Sequence, residues 1–165
     1  MRLWRVTALA SKEEAFNGYG SARWPGRWNQ RGRRAVYAAT SIPLGVLEVL
    51  VQAGSAPLAG YRAYPTDVPD GLIERFDVTR LAPTWRSIAG RDECRTLGDE
   101  WRASGSSVGL IVPSAVVPEA YDAGDYNVVL RPDHPEWSQV AVDDPIPLNL
   151  DARIAELLAA RSTRA

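Results

Sequence analysis

The chain has 165 residues, 45% of them hydrophobic and 24% charged, enough to bury the core of one ordinary globular domain and too few for two. With 19 Lys/Arg against 20 Asp/Glu the net charge is −1, so the chain as a whole is not a nucleic-acid-binding polycation. A single cysteine, Cys94, excludes an intrachain disulfide framework, and neither a signal-length apolar segment nor a run of about 18 apolar residues occurs. The expectation is one soluble, cytoplasmic domain spanning residues 1–165.

In chain order, residues 3–7 alternate as a first strand. Ser11 then has Glu14 three residues on, the spacing of a capping box, and starts a helical turn over 11–16. Residues 17–34, rich in Gly, Asn, Pro and Arg, read as loop, and 35–40 as a short strand. Ser41 caps a helix with Pro43 in its first turn and Gly54 just past its end. Strands are predicted at 61–66 and 74–78, a helix at 91–103 and a continuous apolar strand at 108–112. Two more strands, 127–131 and 137–142, flank a Pro132-Asp133-His134-Pro135 turn. A C-terminal helix over 150–161 carries Ile154, Leu157 and Leu158 on one face. Strands outnumber helices without alternating regularly with them, which favours an α+β domain.

Charge is unevenly placed. No acidic residue lies between Glu14 and Glu48, an interval that holds Arg23, Arg27, Arg31, Arg33 and Arg34 interleaved with Tyr19, Trp24, Trp28 and Tyr37. From Ala35 to Tyr61 the only charged residue is Glu48.

Several motifs fail on context. Gly105-Ser106-Ser107-Val108-Gly109 fits G-x-S-x-G, with Asp133 and His134 downstream, but a nucleophile elbow needs a strand before its serine and a helix after it. Here the order is reversed. The run beginning Gly18-Tyr19-Gly20 has Arg23 where a dinucleotide fingerprint requires its third glycine. One Cys and one His do not make an N/S-ligand zinc site, so no metal is expected.

Glu48 is the residue that stands out. In the helix after Ser41, Leu44, Leu47 and Val51 mark a stripe in which Glu48 takes the remaining place. Val46, Val49 and Leu50 make the helix apolar nearly all round, so it is expected to be buried. A buried carboxylate needs a partner or a cavity. One reading is a structural ion pair with an arginine of the preceding loop. The other is a pocket in which the carboxylate stabilises developing positive charge while an arginine grips an anion. A third possibility, a non-catalytic nucleic-acid platform built on the Arg-aromatic loop, leaves Glu48 without a use.

At these residues the sequence resembles the RES-domain toxins of bacterial toxin–antitoxin pairs, named for an Arg, a Glu and a Ser. The resemblance rests on Gly26-Arg27-Trp28-Asn29, Val36-Tyr37-Ala38 and Leu47-Glu48, then on Leu97-Gly98-Asp99-Glu100-Trp101 and Val112-Pro113-Ser114-Ala115. The run from Asn127 to Pro135 and Asp151-Ala152-Arg153 complete it. Two departures are Trp24-Pro25 before Gly26, where many relatives carry a second glycine, and Arg131, where Asn is frequent. The resemblance implies an ADP-ribosyltransferase-like α+β core of two small, mostly antiparallel sheets with NAD+ as substrate in the cleft between them. It implies consumption of NAD+ by hydrolysis or phosphorolysis of the nicotinamide–ribose bond, or transfer of ADP-ribose to a protein. It also implies a helix-turn-helix (Xre-type) antitoxin that covers the cleft. Carried over, Arg27 would hold the pyrophosphate or adjacent ribose, and Tyr37 would pack on nicotinamide or ribose. Glu48 would stabilise the oxocarbenium-like ribose, Ser114 would hydrogen-bond the nucleotide, and Asn127 would support the site.

Overall fold

The computed structural model describes residues 1–53, 60–154 and 156. The eight strands are β1 (Arg2–Thr7), β2 (Val36–Ala39), β3 (Arg62–Asp67), β4 (Ile73–Arg75), β5 (Gly109–Val112), β6 (Asn127–Leu130), β7 (Ala141–Val142) and β8 (Ile146–Pro147). They form one sheet in the order β4-β5-β6-β2-β1-β3-β7, with β8 also on β3. All pairs are antiparallel except β4 with β5. Among the described residues, the helices that pack around this sheet include α1 (Lys12–Phe16), α2 (Tyr19–Arg23), α3 (Ile42–Ala53) and α4 (Arg91–Ser104). The domain is therefore α+β. Among the described residues no helix is long and apolar enough to cross a membrane.

The sheet has a weak seam. β1 pairs with β3 along six residues, whereas β1 and β2 share the single register pair Trp4↔Ala39. The two expected small sheets are thus two lobes, β4-β5-β6-β2 and β1-β3 with β7 and β8, laced together at one point. Alternation along the strands gives each face its own core. Val36, Ala38, Ile111, Val128 and Leu130 point to one side, where Leu3, Phe16 and Tyr64 join them. Leu110, Val112 and Val129 point to the other, against Cys94, Leu97 and Trp101 of α4. A strand buried on both faces reads as a continuous apolar run, as β5 and β6 do.

The helix starts follow their caps. The Ser11 hydroxyl accepts from the Glu14 amide at 3.2 Å, and Ser41 does the same for Leu44 at 3.2 Å. Within the predicted loop 17–34, residues 19–23 instead close a five-residue helix, held by Ser21, whose hydroxyl caps the Gly18 and Ala35 carbonyls. The first half of the predicted strand 137–142 belongs to a 3-10 turn, Pro135–Gln139, started by His134, whose ring accepts from the Glu136 amide, and Ala141–Val142 alone pair. The predicted strand at 74–78 runs one residue earlier and ends at Arg75. Of the helix predicted over 150–161, residues 152–154 and 156 are helical, while 155 and 157–161 lie outside the described residues, as does Gly54.

The larger correction concerns α3. It is not buried all round: Leu44 and Gly45 face the core, whereas Leu47 is 40% and Val51 63% exposed. Gly45 lets the helix settle on β1, since a Cβ there would come within 2.8 Å of Val6 Cγ2. That flank meets the sheet chiefly over β1 and β2, and Glu48 reaches Asn127 of β6. Val46, Val49 and Leu50 are half-buried, and Leu47 and Val51 face outward.

Candidate active site

A cleft of about 750 Å³ opens beside the β1–β2 seam, within the size range of small-molecule sites. Arg5 of β1, Tyr37 of β2, Glu48 of α3 and Asn127 of β6 line it, with Trp24 and Arg27 from the loop after α2.

Glu48 is half-buried, and its carboxylate is held asymmetrically. Oε1 accepts two hydrogen bonds, from Ser114 Oγ at 2.7 Å and Asn127 Nδ2 at 2.6 Å. Among the described residues no donor reaches Oε2, and no arginine comes within ion-pair distance of either oxygen. The structural ion pair that the sequence allowed is therefore not formed. Ser114 is fully buried behind the cleft wall, and its oxygen also accepts from the Val116 and Val117 amides, each at 3.0 Å. Its one proton is committed to Glu48, leaving it none for a ligand.

Arg27 faces the cleft, but much of its guanidinium is engaged. Nη1 donates to the carbonyls of Trp85 and Ser87, Nη2 donates to that of Arg86 at 3.0 Å, and the group lies 5.7 Å from the Trp85 ring. It pins the 85–87 segment along one rim. Tyr37 spends its hydroxyl internally, donating to Asn29 Oδ1 at 2.7 Å and accepting from the Trp28 amide at 3.0 Å. Burial pushes its phenol well above the usual tyrosine range, so it stays neutral. The ring, not the hydroxyl, is what Tyr37 offers the cleft.

Two site residues escaped the sequence reading. Asn29, 2% exposed, knits the loop: Oδ1 accepts from Gly26 N and Tyr37, while Nδ2 donates to the carbonyls of Ser21, Gln30 and Arg33. Gly26 is required there because a Cβ would fall 2.5 Å from the Tyr37 hydroxyl oxygen. Arg5 is the second. Its Nη1 donates to the Tyr37 carbonyl at 2.9 Å across the seam, and its Nε is buried without a partner among the described residues. Burial pulls the guanidinium down to about 10, opposed by Tyr64. The available signal was a charged residue inside an alternating strand, Leu3-Trp4-Arg5-Val6.

Three of the other loop arginines have separate surroundings. Arg23 stacks on Trp24 and Arg34 on Tyr19, while Arg33 lines a different cavity. Trp28 is buried in the core, whereas Tyr19 and Trp24 stay largely exposed beneath their arginines.

The RES domain family model matches residues 2–151, nearly the whole chain. The chain belongs to the RES domain family. This RES domain is 38% identical over 133 residues to "Toxin Res" of Photorhabdus laumondii, covering 80% of this chain and 82% of that protein. It is 35% identical to "Toxin Res" of Pseudomonas putida, over 89% and 97% of the two chains. It is 32% identical to the "Prs ADP-ribosylating toxin" of a Sphingobium species, over 81% and 83%. The fold is shared with a chain of the Mycobacterium tuberculosis MbcT–MbcA toxin–antitoxin complex, at TM-score 0.68 and 22% identity, over 96% of this RES domain and 88% of that chain.

Proposed function

We propose that this RES domain is a toxin that binds NAD+ in the cleft and cleaves its nicotinamide–ribose bond. The observation that carries the reading is the Glu48 carboxylate: one oxygen fixed by Ser114 and Asn127, the other free in a cleft that also presents unneutralised guanidinium groups. Nicotinamide departs as a neutral molecule, taking the bonding pair, so the step needs little acid catalysis. It does need a negative group beside the ribose carbon that becomes oxocarbenium-like, and a carboxylate whose orientation is already fixed supplies this without reorganisation. Arg5, a cation lining the cleft, and the remaining N–H groups of Arg27 suit the anionic diphosphate. The Tyr37 ring offers a flat face to nicotinamide or ribose. Ser114 and Asn127 act on the substrate through Glu48. An acceptor then adds to the ribose carbon and loses its proton: water gives ADP-ribose, and phosphate gives its phosphorylated form.

The test is purified protein with NAD+, following free nicotinamide with water or phosphate as acceptor. Release that falls roughly 10²-fold in a well-folded Glu48→Gln chain supports the reading. No release with either acceptor rejects it. Transfer of ADP-ribose to a protein is the second reading, favoured by the exposed apolar residues Leu9, Trp24 and Val51 lining the cleft, a surface on which a protein could seat. Labelled NAD+ in lysate would then mark a discrete protein band. The same surface suits an antitoxin of the helix-turn-helix class closing the cleft, and cytoplasmic NAD+ would be the pool at risk.

A further inference from the structure

A second cavity, of about 280 Å³, opens between α4, the loop before β2 and the segment after β6, and shares no lining residue with the cleft. Arg33, Asp99, Arg102, Arg131 and Asp133 form its charged walls. Asp133 is already neutralised, since Arg102 Nη1 donates to both its oxygens at 2.8 Å. Arg131 is different. It is only 9% exposed, its Nε and Nη1 are buried, and neither has a hydrogen-bond partner among the described residues. Burial, reinforced by the neighbouring Arg102 charge and opposed by Asp133, draws its guanidinium below the usual range. Asp99 Oδ1 is also buried and unpartnered.

Two buried guanidinium nitrogens and one buried carboxylate oxygen left without partners beside one small cavity are each costly, and they do not satisfy one another. A ligand that completes both must accept hydrogen bonds from the arginines and donate one to the aspartate. We propose that this cavity binds inorganic phosphate as the hydrogen phosphate ion, its ionised oxygens accepting from Arg131 and Arg33 and its P–OH donating to Asp99. The aspartate sets the selectivity. Sulfate carries no proton at neutral pH, and a phosphomonoester loses its second near pH 6, so each would set bare oxygens against the Asp99 carboxylate.

The reporter is the Trp101 indole N–H, which donates to Ser107 Oγ at 2.8 Å beneath the Arg131 guanidinium. In the ¹⁵N-labelled full chain, titration with inorganic phosphate is expected to shift this resonance saturably at millimolar concentration. Sulfate and ribose 5-phosphate at equal ionic strength should leave it nearly unmoved. Arg131→Met should abolish the response. Arg33→Gln, a change on an exposed side chain, should weaken it several-fold, and Asp99→Asn should narrow the preference over sulfate. Glu48→Gln should respond like the parent, which separates this site from the chemistry of the cleft. No saturable shift, an equal response to sulfate, or a response centred on Asn127 with Trp101 unmoved would overturn the proposal.

Discussion

Ser114 illustrates how a residue belongs to a site without facing it. It is fully buried, gives its proton to Glu48 and accepts two backbone amides, so its removal should disturb the carboxylate before it disturbs binding. Ser114→Ala is expected to lower kcat for nicotinamide release about tenfold, the worth of one hydrogen bond to a charged group, with KM for NAD+ little changed. A rise in KM at constant kcat would instead indicate direct contact with the nucleotide. Tyr37 makes a prediction in pH. Its phenol holds its proton above the pH at which an unfolded tyrosine, near 10, loses it. The folded state then binds more protons than the unfolded one, and the stability contributed by the buried neutral phenol declines as pH rises beyond 10. Tyr37→Phe has no such group, so its denaturation midpoint should fall less than the parent's between pH 8 and pH 10.5. An identical fall would show that the phenol is not protected. Glu48 was legible because it was solitary, and Ser114 because of the block around it. Arg5 was not, since its role depends on the seam between two strands that the sequence does not show to be neighbours.

The elements were legible where hydrophobic period and capping agreed. The Ser11 and Ser41 caps, the α4 span and the apolar β5 and β6 all follow from local signals. The errors came where local chemistry was outweighed by contacts distant in sequence. The 17–34 loop holds a short helix because Ser21 bridges back to Ala35, and α3 exposes apolar side chains because its outer side, with Leu47 and Val51, faces away from the sheet. Gly98 is a case in which packing dictates the residue type. A Cβ there would lie 2.1 Å from the Trp28 carbonyl oxygen, which is backbone and has no rotamer to yield. Gly98→Ala must push α4 away from the loop that carries Arg27. This should lower stability by about 1–3 kcal/mol, despite the better helix propensity of alanine. The urea midpoint measures it. A stabilised Gly98→Ala chain would mean that α4 does not approach the loop this closely.

At the scale of the molecule, the surface around the cleft is the unusual feature. Leu9, Trp24 and Val51, 42%, 73% and 63% exposed, all line the cleft, and Leu47 lies one helical turn before Val51 on the outer side of α3. Single exposed apolar side chains need no explanation, but a group of them around one cavity marks a place where another surface docks. If an antitoxin closes this cleft by burying them, charge placed there should separate neutralisation from catalysis. Leu47→Glu with Val51→Glu changes side chains on the outer side of α3, 40% and 63% exposed and away from the Leu44 face that packs on the core, so the fold and the rate of nicotinamide release should stay within about twofold of the parent. Binding of the antitoxin, measured with the purified pair, should weaken by at least about tenfold, because each glutamate would have to be desolvated at the interface. Loss of activity together with binding would mean that these residues serve the substrate. Undiminished antitoxin binding would place the docking surface elsewhere on the domain.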